Sequence, residues 1–319
     1  MRAYVRGVIA VVHHPAYVSS AHAASPTQLG KNGLIRDLLR AESGVEWHEP
    51  EPMPRDWIAA VHDPDYVTEV LEARVPPDKE RRIGFAVTPA VASRSQHSVG
   101  GTYLAARLAL EKGYAANTAG GSHHARAETG SGYCVLNDLA VAAVRLVEEG
   151  SVARLLIVDC DVHQGDGTAS LTAGHTGIAT YSIHAEKNFP VLKARSTLDV
   201  PLADGVGDDA YLAMLEMTLA PMLDQVAPDL ILYQAGVDPF GGDRLGRLAL
   251  TENGLVAREH LIARLATARD IPLASTVGGG YGDDSAAIAR RHVRAIVTLG
   301  RALTKEAPER TGCARLGSN

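Results

Sequence analysis

The stretch RLLIVDCDVHQGDG, from Arg154 to Gly167, restricts the folds open to this chain more than any other. Its first half, Leu155 to Val158, is a short continuous apolar run, the pattern of a strand buried on both faces in the middle of a parallel sheet. The run breaks into Asp159, Asp161, His163 and Asp166, and open α/β sheets carry their chemistry outside the carboxyl ends of their strands. Alternate residues of an extended chain point to one side, so Asp159 shares a face with Asp161 and His163, and the latter two can reach one metal ion. A carboxylate oxygen and an imidazole nitrogen are ordinary zinc ligands. A third protein ligand and an open position for water would complete a catalytic site. Capping of a following helix explains Asp166 alone, but not a histidine placed between aspartates behind a buried strand.

The 319 residues, 46% hydrophobic and 21% charged, supply ample core for one α/β domain, expected over residues 1–305. Residues 306–319 are polar, contain Pro308, Gly312 and Gly317, and read as a mobile tail. A net charge of −6 advertises no basic surface, so direct binding of nucleic acid is not expected. Three cysteines, Cys134, Cys160 and Cys313, form no CxxC pair, which argues against a disulfide framework or zinc finger and for a reducing compartment. Near the start, Val8 to Val12 read as a strand, and His13, His14 and Pro15 interrupt the apolar run before a signal-peptide core is complete. No stretch approaches the roughly 20 apolar residues that span a bilayer, so a soluble, cytoplasmic protein without a membrane partner is expected. The His13-His14 pair has no acid at ligand spacing and reads as structural or as part of a rim.

Helix signals begin at Ser25-Pro26, leading into Leu29, Leu34, Ile35, Leu38 and Leu39, with Gly44 as the stop. Residues 48–87 are proline-rich and irregular, with a short helix over Asp63 to Ala73, and the charged run Asp78 to Arg82 reads as a solvated loop. A long helix is expected from Thr88-Pro89 to Lys112, stopped by Gly113, and then a buried strand from Tyr114 to Thr118. A helix follows Asn137 and ends at Gly150. Further on, strands are expected at Thr176–Ile183 and Ile271–Val277, and helices at Gly207–Gln225, Thr251–Ala268 and Asp283–Lys305.

The strand from Tyr114 delivers a second constellation, Gly120-Gly121-Ser122-His123-His124, then Gly130 to Asp138. Glycines permit unusual dihedrals and close approach to a ligand, and adjacent imidazoles can serve as base and as charge stabiliser. An HH dipeptide alone is usually surface polarity. Here the flanking glycines and the strand end favour function.

Three ordered motif groups lie between Gly120 and Tyr281: GGSHHA with GSGYCVLND, then DCDVHQGDGT, then QAGVDPFGGDRLG followed by VGGGY. Together they resemble the histone deacetylase superfamily, zinc amide hydrolases on an arginase-like fold. The IHAEKNFP loop and the DVHQG form look most like its bacterial and class IV branch. The resemblance implies a single three-layer α/β/α domain with a central, mainly parallel sheet. It also implies that Asp161, His163 and Asp238 bind zinc, with ferrous iron as a substitute. Asp238 follows the apolar run Leu230 to Tyr233, another strand end. His123 and His124 would be the catalytic pair, oriented by Asp159 and Asp166, with His124 the main proton carrier and Tyr281 the donor to the oxyanion. Gly132, Tyr133 and Phe189 resemble the walls of the family's narrow substrate tunnel. A structural potassium ion would map to Asp159, Asp161, His163, Ser182 and Ile183.

The chain departs from the pattern in places. Residues 74–90 offer no equivalent of the rim aspartate that holds the substrate backbone in the better-known lysine deacetylases. Gln164 stands where the commoner form has a second histidine, and the segment through Val87 matches only loosely. The expected activity is hydrolysis of an acylated amine of the acyl-lysine type. Acetylpolyamines or other small amides are the alternative, for which Glu128 and Glu186 are the carboxylates able to offset desolvation of a cationic chain. A non-catalytic acyl binder would not need the ligands, the histidines and Tyr281 together, and an arginase-like two-metal site would need more bridging acids.

Overall fold

The computed structural model describes residues 7–18 and 30–304, so the helix start at Ser25-Pro26 and the tail from residue 306, with Cys313, lie outside the described residues. The first half of the described chain runs β1 (Ile9–Val12), a 3-10 turn (Pro15–Val18), α1 (Lys31–Arg40), β2 (Val45–His48), α2 (Arg55–Ala59), α3 (Pro64–Leu71), α4 (Pro77–Ile83), α5 (Pro89–Lys112) and β3 (Tyr114–Asn117). The second half runs α6 (Asp138–Glu148), β4 (Leu155–Asp159), α7 (Asp166–Thr172), β5 (Ile178–Ala185), β6 (Leu198–Leu202), α8 (Asp208–Val226), β7 (Leu230–Ala235), α9 (Glu252–Thr267), β8 (Leu273–Val277) and α10 (Ser285–Leu303).

The strands form one sheet in the order β2-β1-β3-β8-β7-β4-β5-β6. Every pairing in it is parallel, where the sequence suggests a mainly parallel sheet. β4 explains the architecture: Leu156 and Val158 join one core with Ile35 of α1, Leu215 of α8, Leu255 of α9 and Ile296 of α10. Leu155 and Ile157, of the other parity, join a second core with Ala105 of α5 and Leu139 of α6. A strand apolar on both faces therefore ends up with helices on both faces, which makes three layers. A third cluster, including Ile58, Val67, Ile83 and Val91, packs α2 to α4 beside the start of α5. β3 and β4 follow one another in sequence but are separated by β8 and β7 in space. The carboxyl ends of these four strands thus lie side by side.

Several features differ from the sequence expectation, among them α2 (Arg55–Ala59), which forms within the stretch read as irregular. The charged run at Asp78 to Arg82 is α4, not a loop: Pro77 opens it, Asp78 and Glu80 occupy its first turn, Arg81 and Arg82 its last, and Gly84 closes it at φ +100°. Charges placed to complement a helix dipole look like a solvated run when only composition is read. The edge strands β2 and β6 have no counterpart in the sequence expectation. Each is short, and β6 contains Pro201, which only an edge strand accommodates. Elsewhere the punctuation holds, as in α5, where the Thr88 hydroxyl accepts from Val91 N and Gly113 ends the helix at φ +86°. Among the described residues no helix is long and apolar enough to cross a membrane.

Candidate active site

Asp161 and His163 follow the end of β4, and Asp238 follows β7. Their ligand atoms lie within 4.8 Å of one another, and all three residues are buried. His163 Nδ1 is 2.9 Å from Asp161 Oδ1 and 3.3 Å from Asp238 Oδ2. The remaining carboxylate oxygens are pinned: Asp161 Oδ2 accepts from Gly279 N (2.7 Å) and Gln234 Nε2 (2.8 Å), and Asp238 Oδ1 accepts from Val162 N (2.9 Å). Asp238 Oδ2 is buried and, apart from that 3.3 Å approach of His163 Nδ1, has no hydrogen-bond partner. Two carboxylates and an imidazole converging in a buried site, one oxygen left over, form a donor set that suits a divalent ion. Burial and the neighbouring Asp161 push Asp238 up to about 7, a repulsion that a cation would relieve. Gly279 is required here because a Cβ at that position would collide with the Asp238 carboxylate.

His123 and His124 come from the loop after β3. Gly121, at φ +74°, turns that loop where a Cβ would run into the backbone of Val277. Asp138, at the start of α6, accepts from the backbone N–H groups of Gly121 (3.0 Å) and Ser122 (2.7 Å) and from the Thr102 hydroxyl (2.6 Å). His123 Nδ1 lies 2.7 Å from Asp159 Oδ2, and His124 Nδ1 lies 2.6 Å from Asp166 Oδ1. An ionised carboxylate only accepts, so each Nδ1 carries a proton, and the Nε2 of His124 keeps its lone pair. Asp166 Oδ2 also takes two bonds from Arg126, at 2.9 and 2.6 Å. These partners hold Asp166 below the usual carboxylate range against its burial. The two imidazoles are electrostatically unequal. Burial opposes charge on His123, but Asp159 and Asp161 outweigh it and raise the group to about 9. Burial and the His123 cation lower His124 to about 3.

Above this pair stand the apolar walls. Gly132, at φ +53°, lies so close that a Cβ would press on His124 Cδ2 and Phe189 Cε1. Phe189 meets the His124 ring edge-on at 4.8 Å, and Tyr281 stands 6.0 Å from the His163 ring and 6.1 Å from that of Tyr133. Tyr133 and Phe189 remain 39% and 40% exposed, so these rings edge an opening and are not core. The segment that lacks a rim aspartate props that wall through its backbone, because Arg82 O and Ile83 O accept from the N–H groups of Gly132 and Tyr133 (3.1 and 2.8 Å).

All the catalytic, metal and tunnel residues singled out in the sequence therefore gather at one place. Of the potassium set, Asp159 lies opposite Ser182 in the β4–β5 register, with Ile183 next in line. Glu128 and Glu186 are exposed. His13 bonds Thr118 Oγ1 through Nδ1 at 2.7 Å, and His14 stacks on His97 at 3.8 Å. Several contributors have roles that the sequence does not announce. Asp243 accepts from Tyr281 N (2.5 Å) while Arg244 N donates to Tyr281 O (3.1 Å), clamping that residue's backbone. Gln164 Nε2 donates to Ala194 O (2.9 Å) and Asp199 Oδ1 (2.8 Å), and its Oε1 accepts from Ala194 N (2.8 Å), which anchors the loop bearing Phe189. Asp243 and Gln164 both stand inside the quoted motifs, and a polar side chain in such a place is the one signal of their roles. A cavity beside His123, Asp161 and Tyr281 is also lined by Lys31 and Arg94, two cations for which the sequence carries no signal.

Comparison with known proteins gives the family. A family model described as "Histone deacetylase domain" matches residues 22–297. An uncharacterized protein of Picosynechococcus sp. is 45% identical over 286 residues, covering 88% of this chain and 95% of that protein. Histone deacetylase 2 of Arabidopsis thaliana is 33% identical over 64% of this chain, which spans 54% of the plant protein. The acetoin utilization protein AcuC of Staphylococcus aureus is 29% identical, covering 78% of this chain and 69% of that protein. The solved HDA15 HD domain matches in fold with a TM-score of 0.77 and 20% identity, covering 94% of this chain and 90% of the other. The chain belongs to the histone deacetylase family.

Proposed function

We propose that the protein is a zinc-dependent deacylase that hydrolyses the amide of an acyl-lysine-type substrate. The observation carrying this reading is the convergence of Asp161, His163 and Asp238, with one orphaned carboxylate oxygen, beside two histidines each bonded to its own aspartate. Asp161, His163 and Asp238 would hold the ion. When bound, it polarises the amide carbonyl and brings the pKa of a water to about 7. The Nε2 of His124 accepts the proton of the attacking water, and Asp166 stabilises the imidazolium that results. The Tyr281 hydroxyl donates to the carbonyl oxygen as negative charge develops there, held in place through Asp243 and Arg244. His123 and Asp159 keep the second imidazole of the pair oriented, and the dyad returns a proton to the departing amine. Gly132, Tyr133 and Phe189 enclose the extended stem and exclude water around it. Ferrous iron could replace zinc on the same donors. Asp159, Asp161, His163, Ser182 and Ile183 would hold a potassium ion, whose charge would offset that of the buried carboxylates.

The test is a panel of acetyl- and long-acyl-lysine peptides, acetylpolyamines and simple amides, offered to the zinc-loaded protein. Turnover of acyl-lysine peptides is expected to lead. Turnover of none of them, with metal bound, would reject the reading in favour of an acyl-group binder.

A further inference from the structure

Directly behind the metal-ligand cluster is a guanidinium that none of the steps above uses. Arg258, on α9, is 0% exposed. Its Nη1 donates to Cys160 O at 3.1 Å and to Gly236 O at 2.8 Å. Cys160 stands between Asp159 and Asp161, and Gly236 stands two residues before Asp238. The ladder between β4 and β7 ends at Asp159 opposite Gln234, with one further bond from Cys160 N to Gln234 O at 3.1 Å. One nitrogen therefore spans the two segments where they leave the sheet for the ligand cluster.

The charge balance decides how such a residue can act. Nε and Nη2 of Arg258 bond Glu259 Oε1 at 3.1 and 2.6 Å, and Glu259 Oε2 accepts from the Tyr233 hydroxyl at 2.8 Å. The cation is neutralised at contact, so the pair presents little net field to Asp161 and Asp238. What remains is geometric. The planar fork of arginine can fix an acid on one side and two carbonyls on the other, which a lysine ammonium cannot reproduce at the same positions. Desolvating both charges is costly, and a pair of apolar residues would hold α9 against the sheet more cheaply.

Resting on the metal-ligand reading above, we propose that Arg258 is a positioning residue that ties the ends of β4 and β7 through Cys160 O and Gly236 O. It thereby sets the separation of Asp161 and Asp238 and tunes metal affinity. Partners one layer out from a metal commonly change affinity 10- to 100-fold when removed.

The experiment uses cobalt(II) as a spectroscopic probe on the full chain. It measures the dissociation constant by chelator competition, the visible absorption band, and Tm without metal. Two variants are compared: Arg258→Lys, which keeps the charge, and Arg258→Met combined with Glu259→Gln, which removes both charges and leaves an acceptor for Tyr233. Ile262→Val on the same helix is the control for simple loss of packing. The expected result is cobalt binding at least about tenfold weaker, with a shifted band, in both Arg258 variants. The control should lose Tm but keep both readouts. Unchanged affinity and band in folded Arg258→Lys would overturn the proposal, as would equal weakening in Ile262→Val. If the parent protein itself binds no cobalt, the ligand assignment fails first and takes this inference with it.

Discussion

Tyr281→Phe removes a hydroxyl and leaves the ring, so it separates binding from chemistry at the residue scale. Loss of one donor to a developing oxyanion typically costs about 100- to 1000-fold in kcat. Turnover should fall by that order while metal content, read by elemental analysis, stays at the parent level. Asp238→Ala should lose both, because its Oδ2 is the orphaned oxygen and its Oδ1 is bound to Val162 N. A variant that kept metal and turnover would remove Asp238 from the ligand set. The polyamine alternative is also decided here. Preference for acetylspermidine over acyl-lysine peptides, lost when the exposed Glu128 or Glu186 becomes Gln, would reverse the substrate order proposed above.

At the scale of elements, the loop after β5 shows how a tunnel wall is held without regular structure. Gln164 is 1% exposed and makes bonds to both backbone groups of Ala194 and to Asp199. Gln164→Ala leaves the half-buried backbone groups of Ala194 and the Asp199 carboxylate without this partner, at a cost of up to about 1 kcal/mol, and frees the Phe189 wall. KM for extended acyl-lysine substrates should rise severalfold with metal content unchanged, and an unchanged KM would mean that the loop is held by its other contacts. The core elements are readable because each carries its own signal: β4 in a buried apolar run that breaks into acids, α5 in Thr88, Pro89 and Gly113. The same run-and-break pattern points to Asp161, His163 and Asp238. What stays hidden acts only through contacts distant in sequence. Lys31 donates to Gly278 O across 247 residues, and Arg258 reaches Cys160 across 98. Neither leaves a local trace, and α4 is masked because its dipole-matched charges resemble those of a solvated loop.

At the scale of the whole molecule, histidines shifted by burial contribute to the response to acid. His62 is 2% exposed; its Nδ1 meets Arg126 O at 2.9 Å, and its Nε2 accepts from Asn137 N at 2.9 Å. It thus ties the loop after His124 to the start of α6. A proton on Nε2 would set two N–H groups against each other, and burial lowers the group to about 4. His13 and His184 are likewise lowered to about 4 by burial, and His292 is lowered well below its ordinary value. The unfolded chain binds these protons near pH 6.5 and the folded chain does not, so by linkage their stability is complete above that pH and is lost as pH falls toward 4. His123 and His163, raised to about 9 and about 10 against their burial by neighbouring carboxylates, act in the opposite sense, which makes a difference measurement necessary. His62→Gln keeps a donor and an acceptor but cannot titrate. Between pH 7 and pH 5 the parent should lose about 2 kcal/mol more unfolding free energy than the variant, the amount set by a shift from 6.5 to about 4. Urea unfolding at the two pH values measures this directly. Equal losses in parent and variant would mean that His62 is not among the groups that set the acid limit of the fold.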